Sequence, residues 1–197
     1  QLVFSVAMQY SGRPLEVALR GNYAYVANNI GTASDPILSL ESIDVTDPNN
    51  PQSADYYGTQ GGPPNDLYLN GDYAYIVEEH GIPTSGGLKV IDISDPTNLT
   101  TADRTSTGVG AQGVAASGNY AYVVDGGSQG LIVFDVSDAT NVTKVGAVAA
   151  PYATKIRIAG GYAYVAGASD LRVFDLQNPA SPSPVGQTTR PIGAQSL

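Results

Sequence analysis

A Gly-x-Tyr-Ala-Tyr segment followed by a branched apolar residue occurs four times in this chain, with its first tyrosine at Tyr23, Tyr73, Tyr120 and Tyr162. Each copy runs on to a strand that ends in Asp and a tight turn. The steps between copies are 50, 47 and 42 residues. Self-similarity at that period means a stacked or circular array of one supersecondary unit, because a unit this small cannot bury its own apolar faces and must lend them to its neighbours.

The unit is a β-meander. With 23 Gly and 13 Pro in 197 residues, the chain is punctuated every few positions, and no window sustains a helical i, i+3, i+4 stripe. The third copy reads most cleanly: a strand over 112–117, the two-residue turn Gly118-Asn119, a return strand over 120–124, a third strand over 131–136 and an outer strand over 142–149. The same plan puts first strands at 15–20, 66–70 and 155–159 in the other copies. Asp44, Asp92, Asp135 and Asp175 interrupt the apolar third strands at one fixed place and read as acceptors for the turn that follows. Asp47-Pro48, Asp95-Pro96 and Asn178-Pro179 supply turn chemistry before the outer strand, with Asp138-Ala139 the copy that lacks proline.

A repeated four-stranded antiparallel meander is the blade of a β-propeller. Segments such as LKVIDI and LIVFDV are apolar on both faces, as sheets packed between neighbours must be. The predicted fold is therefore all-β, with blades over 15–59, 65–107, 112–149 and 154–190. LKVIDISDPTN, LIVFDVSDATN and GNYAYVVDGGSQG resemble the LVIVD-repeat β-propellers, proteins of bacteria and archaea thought to be exported or surface-attached. The resemblance implies an extracellular or cell-surface module for interaction or scaffolding; the family has no shared catalytic motif to carry over. The fourth copy, with LRVFDLQNP, departs most from the pattern.

Ring closure is the open structural question. Residues 2–11 match the outer strand of a preceding or closing blade, and 192–197 begin to resemble another inner strand. That overhang at both ends favours an arc of a larger ring over a closed four-bladed one. The start at Gln1 rather than Met fits a removed leader or an excerpt.

Composition narrows the partners. Eighteen acidic residues against nine basic ones give a net charge of −9, which argues against nucleic acid and anionic lipid. No apolar run approaches the roughly 20 residues of a membrane helix. The absence of cysteine rules out disulfides, thiolate metal sites and a Cys nucleophile. A protein or glycan partner, or self-assembly through blade edges, is the expectation.

Candidate chemistry is sparse. Glu78-Glu79-His80, in one of the two longest loops, is the only pairing of acid and imidazole, and Glu16 and Asp66 at the mouth of the inner strands are placed to converge on it. These five residues are the ligand-binding candidates. A single histidine excludes a multi-histidine zinc site, and segments such as DVTDPNN lack the glycine and distant glutamate of a helix-loop-helix calcium loop. No metal, cofactor or catalytic residue is assigned, and the expectation is a protein that is not an enzyme. Asn98-Leu99-Thr100 and Asn141-Val142-Thr143 are glycosylation candidates at equivalent turns. The tyrosine pairs, identical in place in every copy, are assigned to packing between blades rather than to sugar stacking.

Overall fold

The computed structural model describes residues 12–30, 37–60, 62–78, 87–107, 110–127 and 129–188. Those residues form four antiparallel sheets of four strands, each laid out in chain order, and no helix. The first sheet holds β1 (Arg13–Arg20), β2 (Tyr23–Asn29), β3 (Ile37–Asp44) and β4 (Gln52–Gln60). The second holds β5 (Pro64–Asn70), β6 (Tyr73–Glu78), β7 (Gly87–Asp92) and β8 (Thr100–Ser106). The third holds β9 (Ala111–Ser117), β10 (Tyr120–Asp125), β11 (Gly130–Asp135) and β12 (Thr143–Val148). The fourth holds β13 (Ala153–Ala159), β14 (Tyr162–Gly167), β15 (Leu171–Asp175) and β16 (Ser183–Thr188). The first strands adjoin in the order β1, β5, β9, β13, so the sheets follow one another like propeller blades with these strands innermost.

Local chemistry explains the elements. In the first three hairpins Gly21, Gly71 and Gly118 take φ of 56°, 58° and 56° while the residue after them stays at negative φ, as a type II′ turn requires. In the fourth hairpin Gly160 and Gly161 are both positive, at 59° and 80°. The strand-end aspartates are turn acceptors: the N–H groups of Thr46, Ser94 and Ser137 donate to Asp44, Asp92 and Asp135 at 2.8 Å, and that of Gln177 to Asp175 at 2.7 Å. Hydrogen bonds from side chain and backbone of Thr46 and Ser137 hold the Asp44 and Asp135 carboxyls below the usual carboxylate range. The third strand of the third sheet stops at Asp135 rather than Val136, whose N–H turns back to Asn119 O at 2.8 Å.

Each inner strand begins one or two residues earlier than its apolar pattern predicts. The pairing shifts between Pro14 and Glu16, between Pro64 and Asp66, beside Asp125 opposite Ala111, and between Ala153 and Lys155. One extra residue at each of these places is a β-bulge, and it hides the first pairs of the ladder from any strict two-residue alternation.

Packing between sheets makes the core. Tyr25, Tyr75 and Tyr122 are 1, 2 and 1% exposed and lie in the clusters between the first and second, second and third, and third and fourth sheets. Tyr164, the fourth member of the series, alternates with the buried Ala163 and Val165 and so faces away from the third sheet; it is only half-buried. The assignment of the tyrosines to blade packing thus holds at every junction the chain makes. The segments 1–11, 79–86 and 189–197, on which the overhanging strands and the Glu79-His80 pair fall, lie outside the described residues.

Truncating Tyr75 to alanine should therefore cost about 3–5 kcal/mol, the range for a large aromatic core residue. The same change at Tyr162, 38% exposed on the free face of the fourth sheet, should stay within about 0.5 kcal/mol. Urea denaturation measures both; equal costs would contradict the placement.

Candidate functional site

The bulges bring charge to the mouth of the inner strands. Directly after them, at equivalent positions, stand Glu16, Asp66, Gly113 and Lys155. Lys155 Nζ lies 3.3 Å from Glu16 Oε1, 3.4 Å from Asp66 Oδ1 and 3.5 Å from Asn65 O. Asp66 Oδ2 accepts the Val114 N–H at 3.0 Å, and Asn65 Nδ2 donates to Ala111 O at 2.8 Å. A side chain at Gly113 would press on the Lys155 backbone, since a Cβ there would sit 3.3 Å from Lys155 Cα. One ammonium thus ties the first, second and fourth sheets together across the third. Burial raises the Asp66 carboxyl above its ordinary 3.8, with the Val114 N–H and Lys155 acting against the rise and Glu16 adding to it.

Of the sequence candidates, Glu16 and Asp66 do meet at this mouth, but Glu78 does not join them. Its side chain is fully buried on the face turned to the first sheet, where Oε1 accepts Arg104 Nε at 2.9 Å and Nη2 at 2.5 Å. Its Oε2 lies 3.6 Å from Lys89 Nζ, just past hydrogen-bond reach, and neither of those two atoms has another partner. Burial pushes the Lys89 ammonium down to about 8, against the attraction of Glu78. Glu79 and His80 lie outside the described residues. Asn98 and Asn141 are exposed in turns closed by their N–H groups on Asp95 O and Asp138 O, both at 3.0 Å.

Lys155 and Lys89 are not among the sequence candidates, although each leaves a trace in the sequence. Lys155 aligns with Glu16 and Asp66 when the repeats are superposed, an opposite charge at a position that is acidic in two of the other three copies. Lys89 interrupts the apolar strand LKVIDI, which a lysine can do only beside a counter-ion. Among the described residues no group of three or more His, Asp or Glu is arranged to hold a metal.

Among the described residues the large exposed hydrophobics lie mainly on the first and fourth sheets, with Val145 of β12 the exception. On β1, Val17 and Leu19 are 64% and 73% exposed. The residues aligned with Val17 in the other three copies, Leu67, Val114 and Ile156, are 8, 0 and 0% exposed. On the fourth sheet Tyr162 and Val185 are exposed, and Tyr152 in the turn entering β13 stands out in solvent with φ 59°, the only non-glycine at positive φ among the described residues. A cleft of about 540 Å³ opens beside Pro151, Phe174, Pro184 and Gln187. Its one charge, Arg172, is already held by Asp170 Oδ2 at 2.5 Å and Pro151 O at 2.9 Å.

The family model of the LVIVD repeat matches residues 11–32, 61–107, 109–150 and 150–189. No curated protein matches the chain. The fourth copy is covered throughout and the first only over its inner hairpin, so the copy that departs most is the first, against the reading from LRVFDLQNP. Ser39, Glu41 and Ser42 make its third strand unusually polar.

Two titrations test these charges. A carboxyl raised by burial favours the protonated fold, so Asp66 should add stability as pH falls below its folded midpoint, until the ordinary carboxylate range is passed. Asp66→Asn should remove that increment, and Lys155→Met should move the Asp66 midpoint, followed by carboxyl NMR, further up. Lys89 works in the other direction: its ammonium is disfavoured in the fold, so stability should rise with pH between about 8 and 10.5. A Lys89→Met variant whose urea midpoint keeps that rise would contradict the assignment.

Proposed function

The chain belongs to the LVIVD repeat family, and from that premise we propose that it is a non-enzymatic β-propeller module, extracellular or cell-surface, that works by protein or glycan contact or by assembly. The observation that supports this reading is the contrast at the ends: Val17 is 64% exposed where its three counterparts are 8% or less. Exposed apolar surface of that kind, rimmed by polar residues, marks sites of interaction. Tyr152 supports it further. A tyrosine held at positive φ costs of order 1–3 kcal/mol, and an exposed aromatic has no packing to offset it, which is the pattern of a residue kept for contact.

A second reading, a ligand-binding or enzymatic propeller with an acidic loop-face site, is supported by the meeting of Glu16 and Asp66. Lys155 neutralises much of that charge from within, which ranks the reading second.

The two separate in one comparison. The native chain is assayed on a glycan array and for self-association by analytical ultracentrifugation, alongside Val17→Ser/Leu19→Ser, Tyr152→Gly and Glu16→Gln. Binding lost tenfold or more in the first two variants and kept in the third is the expected outcome. Binding or turnover that depends on Glu16 alone would overturn the module reading in favour of the second.

A further inference from the structure

Among the described residues, the chain's own side chains bridge the first two junctions between sheets, whereas the third opens into a cleft. At the first junction the Tyr57 ring of β4 packs against the cluster shared with the second sheet, and its hydroxyl shares a hydrogen bond of 2.5 Å with Thr101 Oγ1 of β8. At the second, Gln129 Nε2 donates to Thr107 O at 3.0 Å, and Gln129 Oε1 accepts from Lys144 Nζ at 2.9 Å. The third junction carries different residues in the places of that tyrosine and threonine. Tyr57 pairs with Leu40, and its equivalent Val148 with Leu131; Thr101 pairs with Ile91, and its equivalent Pro184 with Phe174. Val148 packs on the third junction's cluster as Tyr57 does on the first, but a valine lacks the reach of a phenol and a proline has no hydroxyl to meet one. What remains is the cleft of about 540 Å³, within the size range of ligand sites.

The lining of this cleft is of two kinds. Ala149, Pro151, Phe174 and Pro184 offer apolar surface. Arg172 and Gln187, cross-strand partners on β15 and β16, supply the polar groups. Both are held by one buried carboxylate: Asp170, 7% exposed, accepts Arg172 Nη2 at 2.5 Å and Gln187 Nε2 at 3.2 Å on the same Oδ2. Pro151 O fixes the guanidinium a second time, accepting Nη1 at 2.9 Å. Because Asp170 matches the charge of Arg172, the lining has no excess charge with which to hold an ionic ligand. It presents instead a flat guanidinium fixed at two nitrogens and the Gln187 amide oxygen, an acceptor that Asp170 does not use. A phenol ring suits both, its face to the guanidinium and its hydroxyl donating to the amide oxygen.

We propose that the cleft between the third and fourth sheets is a docking site for a tyrosine side chain of a protein partner, which takes there the place that Tyr57 fills at the first junction. The inference rests on the module reading above and selects protein contact within it. The first junction shows what this register of the repeat accommodates: an aromatic ring laid against the apolar cluster with its hydroxyl turned to the neighbouring outer strand. The cleft is larger than one ring, which leaves room for the peptide groups that carry it.

The probe is N-acetyl-tyrosinamide, titrated into the native chain and followed by amide NMR. Saturable shifts gathered on residues 149–151, 172–174 and 184–187, with affinity at least fivefold above that of N-acetyl-phenylalaninamide, are the expected result. Gln187→Leu, at an exposed position, should abolish the preference for the hydroxyl and leave the fold intact. Val148→Tyr should supply the ring from within, raising the urea midpoint and weakening tyrosinamide binding at least tenfold. Should that variant fail to fold, Ala149→Trp, at an exposed position of the cleft, must give the same loss of binding. No saturable shift, equal binding of the two amides, or binding that survives the variants overturns the proposal. So does a methyl glucoside that produces the same shifts where tyrosinamide does not, an outcome that assigns the cleft to a glycan. Binding or self-association that depends on Val17 and Leu19 and survives those outcomes leaves the module reading standing and removes only this inference.

Discussion

Everything in this fold follows from the need of each sheet to be covered on both faces. A strand such as β11 is buried at every residue from Gly130 to Phe134, so neither side of the sheet it belongs to can be left to water. Burying one Val, Leu or Ile side chain contributes about 1.5–3 kcal/mol, and a junction between two of these sheets buries several. Tyr25, Tyr75 and Tyr122 lie within that contact, one fully enclosed at each junction. Hydrogen bonds across the junctions, from Arg20 Nη1 to Ile93 O at 2.9 Å and from Asn70 Nδ2 to Gly118 O at 3.1 Å, then set the register of one sheet on the next. They contribute roughly 1 kcal/mol each at most and decide orientation more than cohesion.

The same constraint explains where charge is tolerated. Lys89 and Glu78 sit inside a junction, where removing them from water costs more than their attraction returns at 3.6 Å, and the lysine responds by holding its proton less tightly. Lys155 is different, because its partners come from two other sheets and its own side chain remains partly in solvent. It ties separate blades to one point at the axis. A buried pair inside a junction is a cost the apolar surroundings absorb; a pair across the axis is a clamp.

How much of this was legible in the sequence depends on whether the signal repeated. The strands, hairpins, turn aspartates and packing tyrosines recur four times, and recurrence separates a folding device from noise. Asp44 and its three counterparts could be assigned as turn acceptors because nothing else would place an acid at the same strand end each time. The bulges were hidden, since an extra residue looks like a loop until the ladder beyond it is seen. The ligand candidates fared unevenly for the same reason. Glu16 and Asp66 shared a repeat position and came together, whereas Glu78 was grouped with them by its neighbours in sequence and turned instead into the junction with Arg104.

Hydrogen exchange by mass spectrometry tests the central claim most directly, because it reads the cover on each sheet separately. If mutual burial holds the chain together, β7 and β11, enclosed on both sides, should exchange most slowly and by global unfolding, while β1 and β16 at the ends exchange faster through local opening. Equal protection in all sixteen strands, or slower exchange in β1 than in β11, would contradict it.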